Sequence, residues 1–167
     1  MYTDLTHPTY LGTLPDGAAG TRTTLQLMSS LVRQFKADPT IRQQALDLVA
    51  NLPPKQWAAE VRALFEFVRD QIRYVHDTNG VETIQWPTVT LSVGQGDCDD
   101  KASLLASLLE TIGHPSRFVA VGKTPGTYSH VFVQTLLGAK WVSLDATMNV
   151  PMGWAPSQVG SVMIANN

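Results

Sequence analysis

A single cysteine stands at the head of the clearest helical pattern in this sequence of 167 residues. Cys98 lies in the stretch GDCDDKA, residues 96–102, and the apolar residues that follow it have helical spacing: Ala102, Leu105, Leu109 and Ile112. Gly113 and the proline two positions after it end the pattern. The spacing predicts a core helix with Asp97 as its N-cap and Cys98 in its first turn.

The surroundings of Cys98 act on its thiol in opposite directions. Free N–H groups and a partial positive charge at the start of a helix favour the thiolate, which is the reactive form. The neighbouring carboxylates of Asp97, Asp99 and Asp100 raise the pKa of the thiol instead. A free cysteine is most often a small buried hydrophobe. A nucleophilic role therefore requires a histidine within reach, and an ion pair with that histidine would lower the thiol pKa.

The composition excludes several classes of protein. Hydrophobic residues make up 44% of the chain and charged residues 16%, with a net charge of −2, which is typical of a globular domain. Because there is no basic run, we expect no nucleic-acid partner. Because no apolar run is long enough to span a bilayer, we expect no membrane partner. The first eight residues lack the basic and apolar parts of a signal peptide, so we expect a cytoplasmic protein.

Apolar periodicity predicts a mainly helical segment before Cys98. Residues 1–22, rich in Thr, Pro and Gly, predict an extended arm with a short strand near residues 9–14. Three helices are predicted: residues 23–37, 39–52 and 54–72. The third should pack against the Cys98 helix through four residues: Trp57, Leu64, Phe65 and Val68. Residues 73–95 are rich in turn-forming residues and lead directly to Cys98, so we assign them to one wall of a cleft.

Beyond the Cys98 helix the apolar pattern alternates with a period of two. Three strands are predicted: residues 118–121, 130–136 and 140–145. The link at residues 137–139 suits an antiparallel hairpin, which brings His130, at the start of one strand, beside Asp145, at the end of the next. A reactive thiol needs a base within hydrogen-bond reach, and that base needs a third group to set its tautomer. Cys98, His130 and Asp145 are therefore a candidate triad, and residues 151–156 are predicted to cross the surface as an irregular strap.

Three sequence blocks resemble the transglutaminase-like superfamily of papain-related cysteine enzymes. They are residues 96–102, 130–133 and 141–147, in the order Cys, His, Asp. Residues 72–75 and 80–87 look like the small bacterial and tailed-phage branch, which implies a bacterial cytoplasm, a host cytoplasm or a virion as the location. The resemblance covers residues 60–156. The length of the chain fits a single domain over residues 1–167. The resemblance implies the α+β class, in which the Cys-bearing helix packs on a small antiparallel sheet carrying His and Asp.

The same resemblance implies an activity. Cys98 is then the nucleophile, His130 the general base and acid, and Asp145 the carboxylate that orients the histidine. The implied reaction is acyl transfer from an amide bond through a thioester, on a protein or peptide substrate, without a cofactor or a metal. Of the possible functions, we favour a peptidase or amidase. A protein-crosslinking transglutaminase and a catalytically silent binding or structural module of a phage particle are the alternatives.

Four further residues are candidates for the cleft. The oxyanion of an acyl-transfer reaction needs hydrogen-bond donors, and the Gln95 side-chain amide is a candidate beside the Cys98 backbone N–H. Tyr74 and Trp86 are candidates for lining the cleft, and His76 is the alternative base. A solvated loop glutamine and aromatic core residues would explain Gln95, Tyr74 and Trp86 equally well.

Overall fold

The computed structural model describes residues 9–12, 17–76 and 82–167, and in these residues it contains five helices and eight strands. The helices are α1 Gly17–Phe35, α2 Pro39–Val49, α3 Trp57–Gln71, α4 Pro87–Val93 and α5 Cys98–Thr111. The strands are β1 Thr9–Gly12, β2 Arg73–Tyr74, β3 Glu82–Gln85, β4 Gln95–Gly96, β5 Ser116–Gly122, β6 His130–Leu137, β7 Lys140–Leu144 and β8 Ser161–Asn166. The α+β class predicted from the sequence is confirmed. None of the described helices is long and apolar enough to cross a bilayer.

The larger sheet has four strands in the order β7-β6-β5-β8, and every neighbouring pair is antiparallel. The hairpin between β6 and β7 turns at Gly138, whose φ of +62° is a backbone conformation that glycine adopts without strain. Two shorter sheets pair β1 with β3 in antiparallel fashion and β2 with β4 in parallel. The β2–β4 pair joins the chain that leaves α3 to the residues just before Cys98.

Helix α5 lies at the centre of the protein. Each of its residues from Asp99 to Leu109 is buried, because the helices α1–α4 and the strands β5 and β6 all contact it. Its start is a capping box: the Asp97 side chain accepts hydrogen bonds from the backbone N–H groups of Asp99 and Asp100, and the Asp97 N–H donates to the Asp100 carboxylate. Gly113, with a φ of +94°, follows its last turn. Both predicted ends of this helix are therefore confirmed.

The predicted contact between α3 and α5 is confirmed except at its start. Ala102, Leu105 and Leu109 share one core with residues of α3, namely Leu64, Phe65 and Val68, and all six are buried. The prediction for Trp57 is wrong, since 57% of this residue is exposed. Trp57 is the first residue of α3 and lines a surface groove with the half-buried Ile112, whereas the buried face of the helix begins one turn later, at Val61.

Several predicted boundaries shift in the structure. Helix α1 begins at Gly17, so residues 17–22 of the predicted arm are helical, and Gly20 already lies in the core. The predicted strand in the arm corresponds to β1, while residues 1–8 and 13–16 lie outside the described residues. Helix α3 starts at Trp57 instead of Pro54.

Five elements were not predicted: the helix α4, the short strands β2, β3 and β4, and the strand β8. The short helix α4 lies within the segment expected to be irregular, where Trp86 is the N-cap and Pro87 the first helical residue. Strand β8 follows the irregular residues 151–156, which are tied to β7 by a hydrogen bond from the Gly153 N–H to the Ser143 carbonyl. Alternate β8 residues face outward, so that Val162 and Ile164 are 53% and 49% exposed.

Candidate active site

Cys98 is the first residue of α5, and its sulfur lies next to the start of β6. The thiol lies 3.5 Å from Asp99 Oδ1 and donates to it, and the backbone N–H of Val131, the residue after His130, hydrogen-bonds to the sulfur. Burial raises the pKa of Cys98 well above its usual range, and the charges of Asp99 and Asp97 raise it further, whereas the Val131 N–H acts in the opposite direction. The resting group is therefore a neutral thiol. A depressed thiol pKa, expected from an ion pair with histidine, is not what these surroundings produce.

His130 and Asp145 form a short hydrogen bond across the β6–β7 hairpin. His130 Nε2 lies 2.7 Å from Asp145 Oδ2, and Asp145 itself is 0% exposed. The other carboxylate oxygen, Oδ1, accepts hydrogen bonds from the Thr147 backbone N–H at 3.1 Å and the Thr147 hydroxyl at 2.6 Å. Thr147 was not predicted from the sequence to be part of the site.

These contacts determine which nitrogen of His130 is free to accept a proton. Burial alone raises the pKa of Asp145, but the hydrogen bonds from His130 and Thr147 outweigh burial and lower it, so the carboxylate is ionised near neutral pH. An ionised carboxylate only accepts hydrogen bonds, which places the imidazole proton on Nε2. In the neutral ring Nδ1 is then unprotonated, and it is this nitrogen that can accept a proton from a substrate or a thiol.

A surface pocket contains both Cys98 and His130. Helix α1 forms one side of it through Thr21, Thr24 and Leu25, and the loop before β6 contributes Tyr128 and Ser129. Tyr74 and His76, which follow α3, form another part of its lining together with Asp97 and Asp99. The topology thus brings the three predicted triad residues to one place: two line the pocket, and the third is hydrogen-bonded behind His130.

The segment that matches a family model includes Cys98, His130 and Asp145. Residues 42–146 match the model of the transglutaminase-like superfamily. The chain belongs to the transglutaminase-like superfamily. The resemblance deduced from the three sequence blocks is confirmed. No protein in the curated set matches the sequence.

Two solved structures share the transglutaminase-like fold of this chain. One is a candidate protease from Parabacteroides distasonis, with 16% sequence identity and a TM-score of 0.59 over 74% of this chain. The other is a candidate cysteine protease from Cytophaga hutchinsonii, with 18% identity and a TM-score of 0.53 over 81% of this chain. The alignments cover 26% and 51% of those two proteins, so this chain spans about a quarter and about half of their lengths. At such identities the likeness concerns the fold.

Among the other predicted cleft residues, this transglutaminase-like chain places only Tyr74 and His76 in the pocket lining. Gln95 is not in the described lining, because its amide oxygen accepts a hydrogen bond from the guanidinium of Arg73, its partner across the β2–β4 pair. Trp86 is not there either, because its ring packs against Phe35 with 5.4 Å between centroids, next to the core. Both predictions are therefore corrected.

The α1 residues of the pocket had no signal in the sequence, because their helical pattern is that of an ordinary core helix. For Tyr128 and Ser129 the sequence does contain a signal, since these residues directly precede His130 along the chain. In the parts of the chain that the structure describes, no group of three or more His, Cys, Asp or Glu side chains is placed to hold a metal ion.

Proposed function

We propose that this protein is a cysteine-dependent enzyme that acts on amide bonds of proteins or peptides, as a peptidase or amidase. One observation carries the proposal: the pocket that contains the Cys98 thiol also contains His130, whose imidazole is held by the buried carboxylate of Asp145 at 2.7 Å. A nucleophile, a base and a group that orients the base are the three parts that thiol acyl transfer requires. The candidate proteases that share the fold support the same choice.

The proposed reaction begins with a neutral thiol. As the Cys98 sulfur attacks the substrate carbonyl, His130 Nδ1 takes the thiol proton, and the carbonyl π electrons move onto oxygen to form a tetrahedral oxyanion. Collapse of this intermediate breaks the C–N bond, and the proton on Nδ1 passes to the leaving amine. The product of this half-reaction is a thioester on Cys98. A water molecule, deprotonated by His130, then releases the carboxylic acid and restores the thiol.

Asp145 stabilises the imidazolium that forms in each step. Its charge is buried and lies within hydrogen-bond distance of Nε2, so it favours the doubly protonated ring as soon as Nδ1 receives the thiol proton. Asp97 and Asp99 work against a resting thiolate. Proton transfer is therefore coupled to attack on the carbonyl.

One observation favours the alternative of a catalytically silent module, namely the raised pKa of Cys98. The two functions differ in whether the thiol reacts with an amide at all. A transglutaminase would share the first half-reaction and differ only in the acceptor, since a lysine amine would replace water. The products therefore distinguish hydrolysis from crosslinking.

The test is acylation of Cys98 by a panel of peptide amides and activated esters, followed by intact-protein mass spectrometry. We expect an acyl adduct on the wild-type protein, no adduct on Cys98→Ser, and slower acylation of His130→Ala by about 10³-fold or more. His114→Ala is the matched control, because it removes a histidine paired with a carboxylate, Glu60, at 2.9 Å outside the pocket. If the wild-type protein forms no adduct and iodoacetamide alkylates wild type and His130→Ala at equal rates, the silent module is the correct function.

A further inference from the structure

The proposed reaction needs a second hydrogen-bond donor for its oxyanion, a role predicted from the sequence for Gln95. The oxyanion forms next to the Cys98 sulfur, where the free backbone N–H of Cys98, at the start of α5, is one donor. The expected partner, Gln95, is hydrogen-bonded to Arg73 and lies outside the described lining. We propose that the hydroxyl of Tyr74 is the second donor to this oxyanion. The proposal rests on the proposed function.

The backbone of Tyr74 is held in place relative to Cys98. In the parallel β2–β4 pair Tyr74 is in register with Gly96, two residues before the nucleophile. Hydrogen bonds flank it on both sides: the Arg73 N–H donates to the Gly94 carbonyl at 2.8 Å and the Val75 N–H donates to the Gly96 carbonyl at 3.1 Å. A donor on such a fixed backbone needs little reorganisation when the oxyanion forms.

Gly96 maintains this close arrangement. A Cβ atom at this position would lie 2.5 Å from Asp100 Cβ and 2.9 Å from Asp100 Oδ2, which is closer than such atoms pack. The Asp100 carboxylate accepts hydrogen bonds from the Asp97 and Gln85 backbone N–H groups, so it has no freedom to move away. The strand that carries Tyr74 is therefore paired with one that has no side chain at the point of contact.

The Tyr74 hydroxyl has the chemistry of a donor. Burial raises the pKa of Tyr74 to about 12, and the charges of Asp97 and Asp99 act in the same direction, so the phenol keeps its proton at neutral pH. The hydroxyl lies 3.4 Å from His76 Nδ1, which is long for an O–H···N hydrogen bond. A substrate oxygen at 2.7–2.8 Å, about the usual O–H···O distance, would be a better acceptor.

Two other roles for Tyr74 can be separated from that of an oxyanion donor. A general base at this position would have to lose the phenolic proton, which its surroundings oppose. A role in packing alone would be kept by phenylalanine, because the ring contact with His76, edge-on at 4.8 Å between centroids, does not involve the hydroxyl.

Tyr74→Phe is therefore the decisive variant. We expect kcat on a peptide amide or ester substrate to fall about 10²–10³-fold with little change in KM, the usual loss for one oxyanion donor. A peptide aldehyde, which forms a tetrahedral adduct on the thiol, should bind more weakly by a similar factor. Alkylation of Cys98 by iodoacetamide should keep its wild-type rate, because substitution at a saturated carbon forms no oxyanion.

His76→Ala tests whether Tyr74 acts through its neighbour. If it matches Tyr74→Phe in kcat and the double variant loses no more, the hydroxyl serves only to position His76 and the proposal is overturned. The proposal is also overturned if Tyr74→Phe stays within about threefold of wild-type kcat, or if its alkylation rate falls in proportion to kcat. A wild-type protein that never acylates overturns both this proposal and the proposed function, whereas an acylating wild type with an unaffected Tyr74→Phe overturns this one alone.

Discussion

The buried lysine of α5 should make the stability of the protein depend on pH in an unusual direction. Lys101 is 1% exposed, and its ammonium donates to the backbone carbonyls of Ile72 and, at 3.4 Å, of Arg69, at the end of α3. Burial lowers its pKa from 10.5 to about 8, although the charges of Asp70 and Asp145 act in the opposite direction. The folded protein therefore releases this proton at a lower pH than the unfolded chain does.

The sign of the effect follows from proton binding in the two states. Below pH 8 the lysine is charged in both states, and the cost of burying the charge is fully present. Between pH 8 and 10.5 the unfolded chain holds a proton that the folded protein has lost, so the free energy of unfolding rises with pH. A pKa difference of this size can change the free energy of unfolding by at most about 3 kcal/mol, at about 1.36 kcal/mol per pKa unit.

Two other groups oppose this rise. The pKa values of Cys98 and Tyr74 are both raised by folding, so above their unfolded values the folded protein holds protons that the unfolded chain has lost. The quantity to measure is therefore the difference between wild type and Lys101→Met, by urea denaturation followed by circular dichroism from pH 7 to 10. Between pH 7 and 10 the free energy of unfolding of the wild type should rise by about 2–3 kcal/mol more than that of the variant.

Lys140→Met serves as the control, because Lys140 lies exposed on β7 and its removal should leave a profile parallel to that of wild type. The reasoning is refuted if Lys101→Met also gives a parallel profile, since Lys101 would then titrate alike in the folded and unfolded states.

Two further predictions concern the core and the triad. Leu105 is 0% exposed and packs between α5 and the other helices. Leu105→Ala should therefore lower the free energy of unfolding, measured by urea denaturation, by about 2–5 kcal/mol. A loss below about 1 kcal/mol would show that this residue is not part of the core. Asp145→Asn should lower kcat by about 10³–10⁴-fold in the acylation assay while the protein stays folded by circular dichroism. The reason is that the asparagine amide can donate to His130 Nε2, which favours the tautomer with its proton on Nδ1, where the base needs a free nitrogen. A variant with wild-type kcat would show that Asp145 does not set the tautomer.

The parts of the site that were predictable are those that depend on local patterns. Asp97 caps α5 because a short carboxylate precedes an apolar helix, and Cys98 must then lie in the first turn. His130 and Asp145 meet because they stand at matching ends of two strands joined by a short hairpin. Each of these inferences needs only residues close in sequence or one regular pairing.

The parts that were missed depend on contacts between distant segments. Gln95 looks like a free loop residue until the parallel pairing of β2 with β4 brings Arg73 beside it, and no local pattern signals a pair of two-residue strands. Trp57 has the spacing of a core residue, but it is the first residue of its helix and reaches a surface groove. The pKa of Cys98 depends on how deeply the sulfur is buried, which helix spacing does not reveal.

The order β7-β6-β5-β8 has a consequence for how the protein is made. Once the chain has been synthesised as far as Asp145 it contains Cys98, His130 and Asp145, but β5 still lacks a neighbour along one edge. That edge is completed only by β8, since Gly122 pairs with Ser161, about 40 residues later in the chain. Until β8 is available, the three strands β7, β6 and β5 form a sheet with an open edge, which other strands can occupy. Pairing of β8 with β5 closes this edge and ends the interval in which wrong pairing can occur.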